Sequence, residues 1–73
     1  MSEIKTLTKV NSSMLYAVGY DPKAKILEVV FSKGKIWRYY DVPQNVYAGL
    51  LTTRSVGSYM NNQIIDCYDD EPC

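Results

Sequence analysis

The residues of this chain whose types and spacing could do chemistry are cations set among aromatic rings. Arg38 lies two positions before Tyr40, Lys33 and Lys35 come just ahead of them, and Tyr16 stands earlier in the chain. On a sheet such a mixture can stack bases and hold phosphates, as binders of single-stranded nucleic acid do. It equally describes a face that meets a partner chain, because tyrosine and arginine are enriched at interface centres. It also describes a plain strand surface whose turn lysines keep the edges wet. A second set, Ser55, Gly57 and Asn61 with Ser58, Tyr59 and Asn62, stands where a helix should begin. Free backbone N–H groups there could receive an anion such as phosphate, and an N-cap serine with polar neighbours accounts for the same residues.

Enzymatic chemistry finds little to work with. The chain has no histidine, so the commonest general base near neutral pH is absent. Cys67 has neither a histidine nor a second cysteine close in sequence, and Asp66 and Asp69 beside it disfavour a thiolate nucleophile. Asp66, Asp69, Asp70 and Glu71 lack the spacing of a twelve-residue calcium loop and read as a solvated acidic end. Gly57 is not part of a phosphate-binding glycine loop. The expectation is a protein that is not an enzyme, with no cofactor and no metal.

The element that must position the first set is a hairpin from Ile26 to Asp41. Leu27, Val29 and Phe31 alternate with Ile26, Glu28 and Val30; Lys35, Trp37 and Tyr39 alternate with Ile36, Arg38 and Tyr40. Period two over both runs is the mark of half-buried strands. Ser32-Lys33-Gly34 separates them, with Gly34 placed to take the positive φ of a three-residue loop. Setting Phe31 against Lys35 aligns Val29 with Trp37, Leu27 with Tyr39 and Glu28 with Arg38. One face is then aliphatic and aromatic, and the other carries an opposite-charge pair.

Around the hairpin, residues 1–11 read as a leader or edge strand. Met14 to Tyr20 is a further strand, with Leu15, Ala17 and Gly19 on one side and Met14, Tyr16, Val18 and Tyr20 on the other. Asp21-Pro22 opens a turn short enough to make its neighbours antiparallel. Val42-Pro43 ends the sheet and begins a helix whose stripe is Val46, Tyr47, Leu50 and Leu51. Ser55 should cap a longer helix to about Tyr68, with Val56, Tyr59, Met60, Gln63, Ile64 and Cys67 on one side. Negative charge is the wrong sign for a helix C-terminus. Residues 69–73 should therefore fray as an acidic tail unless a basic surface receives them. The predicted fold is α+β, a three-stranded antiparallel β-meander covered on its Trp37 face by two C-terminal helices, with residues 12–68 as the domain proper.

Seventy-three residues with eight basic and eight acidic side chains carry no net charge, which makes no general case for nucleic acid. The placement is uneven. Up to Arg54 there are eight basic residues against four acidic ones, a balance of +4, and from Ser55 onward four acidic residues and no basic one, a balance of −4. Cys67 and Cys73 form no disulfide framework, and no secretory apolar run precedes them, so a reducing cytoplasmic setting is expected. Cys67 is expected to bury as a small hydrophobe and Cys73 to hang free on the tail. No stretch has the length or pattern of a membrane helix.

Taken in order, Ser12-Ser13, Val18-Gly19-Tyr20-Asp21, Leu27-x-Val29-x-Phe31 with Gly34, Trp37-Arg38-Tyr39-Tyr40-Asp41-Val42-Pro43, Tyr47, Leu50, and Ser55-x-Gly57-x-Tyr59-x-Asn61 with Ile64 and Tyr68 form a pattern. It resembles the KTSC domain, a family named for its occurrence at the C-terminus of some lysyl-tRNA synthetases and also found as small stand-alone proteins. The family's central Tyr-x-Tyr is here Trp37-x-Tyr39, and its Ser-Lys-Gly before the last helix is here Ser55-Val56-Gly57, which removes a positive charge from the anion set. The resemblance implies a small binding module for which the synthetase context suggests RNA. The alternative carried from the residues is a protein-interaction or regulatory module, self-associating as a homodimer through Tyr16, Val18, Val30, Ile36 and Tyr40.

Overall fold

A computed structural model describes residues 7–10 and 12–73 of the chain. The hairpin forms as its alternation requires. Strands β3 (Ile26–Phe31) and β4 (Ile36–Tyr39) pair antiparallel with Leu27 against Tyr39, Glu28 against Arg38, Val29 against Trp37 and Val30 against Ile36. The Phe31 N–H donates to the Lys35 carbonyl at 2.7 Å and the Gly34 N–H to the Phe31 carbonyl at 2.8 Å, closing the loop. Gly34 takes φ 92° there, a value that a side chain would strain.

Strand β2 (Leu15–Asp21) pairs with β3, and the Asp21 carboxylate accepts the N–H groups of Lys23 (2.9 Å) and Ala24 (3.2 Å) to shape the turn between them. The sheet has five strands rather than three. A two-residue strand β1 (Thr8–Lys9) lies outside β2, and β5 (Asp70–Pro72) lies outside β4, giving the all-antiparallel order β1-β2-β3-β4-β5. The edge-strand reading of residues 1–11 applies to Thr8–Lys9; residues 1–6 and 11 lie outside the described part.

The expected frayed tail is therefore corrected. Its physical cause is a receiving surface: Glu71 pairs in register with Arg38, and the Cys73 N–H donates to the Ile36 carbonyl at 2.8 Å. Cys73 is tied to the sheet by that bond, and Cys67 is exposed rather than buried.

Helix α1 (Gln44–Thr52) starts with Pro43 at its N-cap, and Leu50 is its fully buried residue. The second helix is shorter than its stripe suggests. Regular α2 (Val56–Tyr59) passes into a π-helical segment (Met60–Ile64), where the Ile65 N–H reaches back to the Met60 carbonyl at 2.7 Å. Val56, Met60 and Ile64, at the four-residue spacing of the predicted stripe, all face the core. The chain then turns through Asp66 at φ 64°, a conformation Asp tolerates, toward β5. Both helices cover the Trp37 face. Leu50, Val56, Met60 and Ile64 join Leu15, Val18, Leu27, Val29, Tyr39 and Val42 in one core. No helix among the described residues is long and apolar enough to cross a membrane.

Candidate functional site

The residues singled out for chemistry separate onto two faces. Tyr16, Arg38 and Tyr40 lie on the face away from the helices. Lys35, opposite Phe31, shares the face of Val29 and Trp37 instead, and Lys33 sits at the tip of the loop. The grouping of both lysines with Arg38 is corrected by the same period-two alternation that built the hairpin.

On the outer face Arg38 is already engaged. Its Nε lies 3.1 Å from Glu28 Oε2, with the two side chains only 26% and 15% exposed. That bond is the main cause holding the Arg38 guanidinium above its ordinary range, and Glu71 stands next to Arg38 across β4 and β5. Burial pushes the Tyr40 phenol up, and the nearby Glu71 adds to it. Two carboxylates thus flank the single guanidinium, which weakens any pull on phosphate.

Tyr16 is 53% exposed, with the Lys9 ammonium 5.2 Å from its ring centre. It sits in a bulge between Leu15 and Ala17, where the register of β2 against β3 shifts by a residue. The shift turns Val18 inward against Val29, fully buried, so Val18 is not part of the outer face. Straight alternation from Met14 could not have shown this.

A different arrangement exists at the hairpin tip. Ser13, Met14, Phe31, Ser32, Lys33, Lys35 and Trp37 line an open hollow of about 400 Å³. Phe31 and Trp37 are half-buried and pack against the edge of the core. Ser32 fastens the rim: its N–H donates to the Met14 carbonyl at 2.9 Å and its hydroxyl to the Ser13 carbonyl at 2.8 Å. The Ser12 hydroxyl accepts the Met14 N–H at 3.0 Å. Lys33 and Lys35 are exposed beside this apolar floor, and no ion pair engages either of them among the described residues. The sequence reading missed Met14, Phe31 and Trp37 as site residues, although alternation from Lys35 to Trp37 was the signal that joins them.

The anion set adjoins the hollow without forming a site of its own. Gly57 lies against Met14: a Cβ there would stand 3.7 Å from its sulfur. Ser55 occupies the N-cap position, but its side chain makes no capping hydrogen bond, and α2 runs only four residues. Asn61 is exposed on the π-helical segment.

A second depression, lined by Tyr40, Asp41, Asp66, Cys67, Tyr68 and Asp69, is polar and acidic. No group of three or more metal-ligating side chains converges among the described residues.

Comparison with known proteins follows the same outline. The family model of the KTSC domain matches residues 11–68. An uncharacterised protein of Stutzerimonas stutzeri (strain A1501) is 46% identical over 52 residues, spanning 71% of this chain and 73% of its own length. A protein of Tsukamurella paurometabola is 42% identical over 52 residues, spanning 71% of this chain and 78% of its own. The crystal structure of a KTSC domain protein from Yersinia pestis superposes with a TM-score of 0.88 at 25% identity, covering 93% of this chain and 96% of that one.

Proposed function

The chain belongs to the KTSC domain family, and from that premise we propose that it is a small non-enzymatic module that binds single-stranded RNA at the hairpin tip. The observation that carries this reading is the pairing of two unengaged ammonium groups, Lys33 and Lys35, with an open floor of Met14, Phe31 and Trp37. A base needs an apolar surface to lie on and its phosphate needs a cation within reach; the hollow offers both. Arg38, the strongest phosphate ligand on chemical grounds, is occupied by Glu28, so the outer face supports RNA poorly. The occurrence of similar domains on some lysyl-tRNA synthetases points to the same ligand class. The place of action in this reading is the cytoplasm, where the exposed thiols of Cys67 and Cys73 stay reduced.

Trp37 is the single tryptophan, so its emission reports directly on the hollow. Titration with a short single-stranded RNA should quench it, and log K should fall with log salt at a slope of about −1.4, two phosphates at about −0.7 each. The pair Lys33→Ala and Lys35→Ala should flatten that slope, whereas Arg38→Ala should not. Absence of any salt-sensitive change up to tens of micromolar protein, roughly 6 to 7 kcal/mol of binding, would overturn the proposal.

A second reading, association with a protein partner or a second copy, is favoured by one observation: Tyr16 is the most exposed of the large hydrophobic side chains among the described residues, and it stands on the outer face away from the hollow.

A further inference from the structure

The outer sheet face is polarised in charge from one edge to the other. Lys9, in register with Ala17, marks the β1 edge, and Glu71, in register with Arg38, marks the β5 edge. The middle strands carry Val30 and Ile36, half-buried, and the internally paired Glu28 and Arg38. We infer that this face associates with the same face of a second copy about a two-fold axis running along the strands. This goes beyond the RNA reading, uses a different surface, and stands or falls without it.

The direction of the axis follows from charge. A half-turn about an axis along the strands lays β1 of each copy over β5 of the other, so Lys9, level with Ile36, comes twice to within two residues, about 7 Å along the strand, of Glu71, level with Arg38. An axis across the strands would lay like edges together, Lys9 over Lys9 and Glu71 over Glu71, which costs energy twice. Edge-to-edge pairing meets the same repulsion, and Pro72 in β5 has no N–H to add to a ladder.

The same half-turn sets β2 of one copy over β4 of the other, with Val30 near the axis. Two sheets packed this way keep their strands within about 30° of each other, the usual aligned packing.

The area sets the strength. Five strands span about 19 Å at about 4.8 Å spacing, and a seven-residue strand runs about 20 Å, so each copy contributes a footprint of about 400 Å². The total of about 800 Å² lies below the class of stable complexes. The dimer forms at high micromolar concentration and dissociates on dilution.

Sedimentation equilibrium of the full chain tests this. The wild type should rise toward dimer mass over about 0.05 to 1 mM, a range in which association of about 4 to 6 kcal/mol is visible, and added salt should weaken it. Lys9→Glu alone and Glu71→Lys alone should each weaken association about tenfold. An equimolar mixture of the two variants should restore it, because in the mixed pair both edges again oppose unlike charges. A wild type that stays monomeric through the range, or a mixture no better than its parts, overturns the proposal. Amide shifts of the wild type on dilution give a check that needs no variant. Changes confined to outer-face residues such as Lys9, Val30, Ile36 and Glu71 support it, and changes centred on Lys33 and Trp37, or no changes, refute it.

Discussion

The hydroxyl of Tyr59 lies directly over Gly49 and donates to the Val46 carbonyl at 2.9 Å, so the second helix is seated on the first through a contact that leaves no room for a side chain at residue 49. A Cβ built on Gly49 would overlap the Tyr59 oxygen and stand 2.8 Å from its ring carbon. Helix propensity alone predicts that Gly49→Ala stabilises α1 by about 1 kcal/mol. Overpacking costs about 1 to 3 kcal/mol, and displacement of the partly buried hydrogen bond adds about 1 kcal/mol, so the structure predicts a net loss of about 1 to 3 kcal/mol. Urea unfolding followed by Trp37 emission would measure it. Tyr59→Phe in the same chain should recover part of the loss, since the atom nearest the new methyl is gone; equal stability of Gly49→Ala and wild type would show that the two helices are not seated this way.

Alkaline pH should unfold the domain through Tyr39. Burial, aided by Asp70 and Asp66, pushes its phenol from 10.0 up to about 12. The folded state thus keeps its proton where the unfolded chain has lost it. Stability is unaffected below pH 10 and falls between pH 10 and 12, because there the unfolded state binds fewer protons. The loss amounts to at most about 2 to 3 kcal/mol, two units at 1.36 kcal/mol each. Tyr39→Phe should be stable to higher pH than wild type, and phenolate absorbance of the wild type should show one tyrosine titrating together with unfolding. A Tyr39 that ionises with the exposed tyrosines would contradict its burial.

Much of this architecture is legible in the order of side chains, and the reasons differ by element. The central hairpin could be read to the residue because period two over two strands and a glycine at the loop position leave a single register. The helices covering the Trp37 face follow from the same alternation. What could not be read depends on non-local or non-periodic causes. The bulge at Tyr16 resets the alternation of β2, and nothing in Leu15-Tyr16-Ala17 announces it. The regular helix ends at Tyr59 and gives way to a π-helical segment, where an unbroken α-helix to about Tyr68 was expected. Strand β5 exists because the β4 edge, about thirty residues earlier, offers backbone partners to the chain around Asp70–Pro72 and sets Glu71 in register with Arg38; the acidic run alone reads as a solvated tail. The hairpin-tip hollow depends on Ser13 and Met14 being fastened beside the β3–β4 loop, a tertiary fact that residue spacing does not carry.

Strand β5 supplies the last prediction, because it closes the β4 edge with three exposed residues whose individual contacts are modest. The Tyr40 N–H donates to the Asp69 carbonyl and the Cys73 N–H to the Ile36 carbonyl, both at 2.8 Å, and Pro72 stands beside Trp37 in register. Arg38→Ala removes one partly exposed ion pair and should cost no more than about 1 kcal/mol. Deletion of residues 69–73 instead removes the whole ladder. Each lost bond is replaced by water at a net cost of about 0.5 to 1.5 kcal/mol, so the deletion should cost about 1 to 3 kcal/mol. Trp37 emission should shift red as Pro72 leaves its side, and the bared β4 edge should make the shortened chain aggregate at concentrations where the full chain stays clear. A deletion that leaves unfolding midpoint, Trp37 emission and light scattering unchanged would mean that β5 contributes nothing to the sheet. A stability loss matching that of Arg38→Ala, with emission unmoved, would mean that its effect is electrostatic alone.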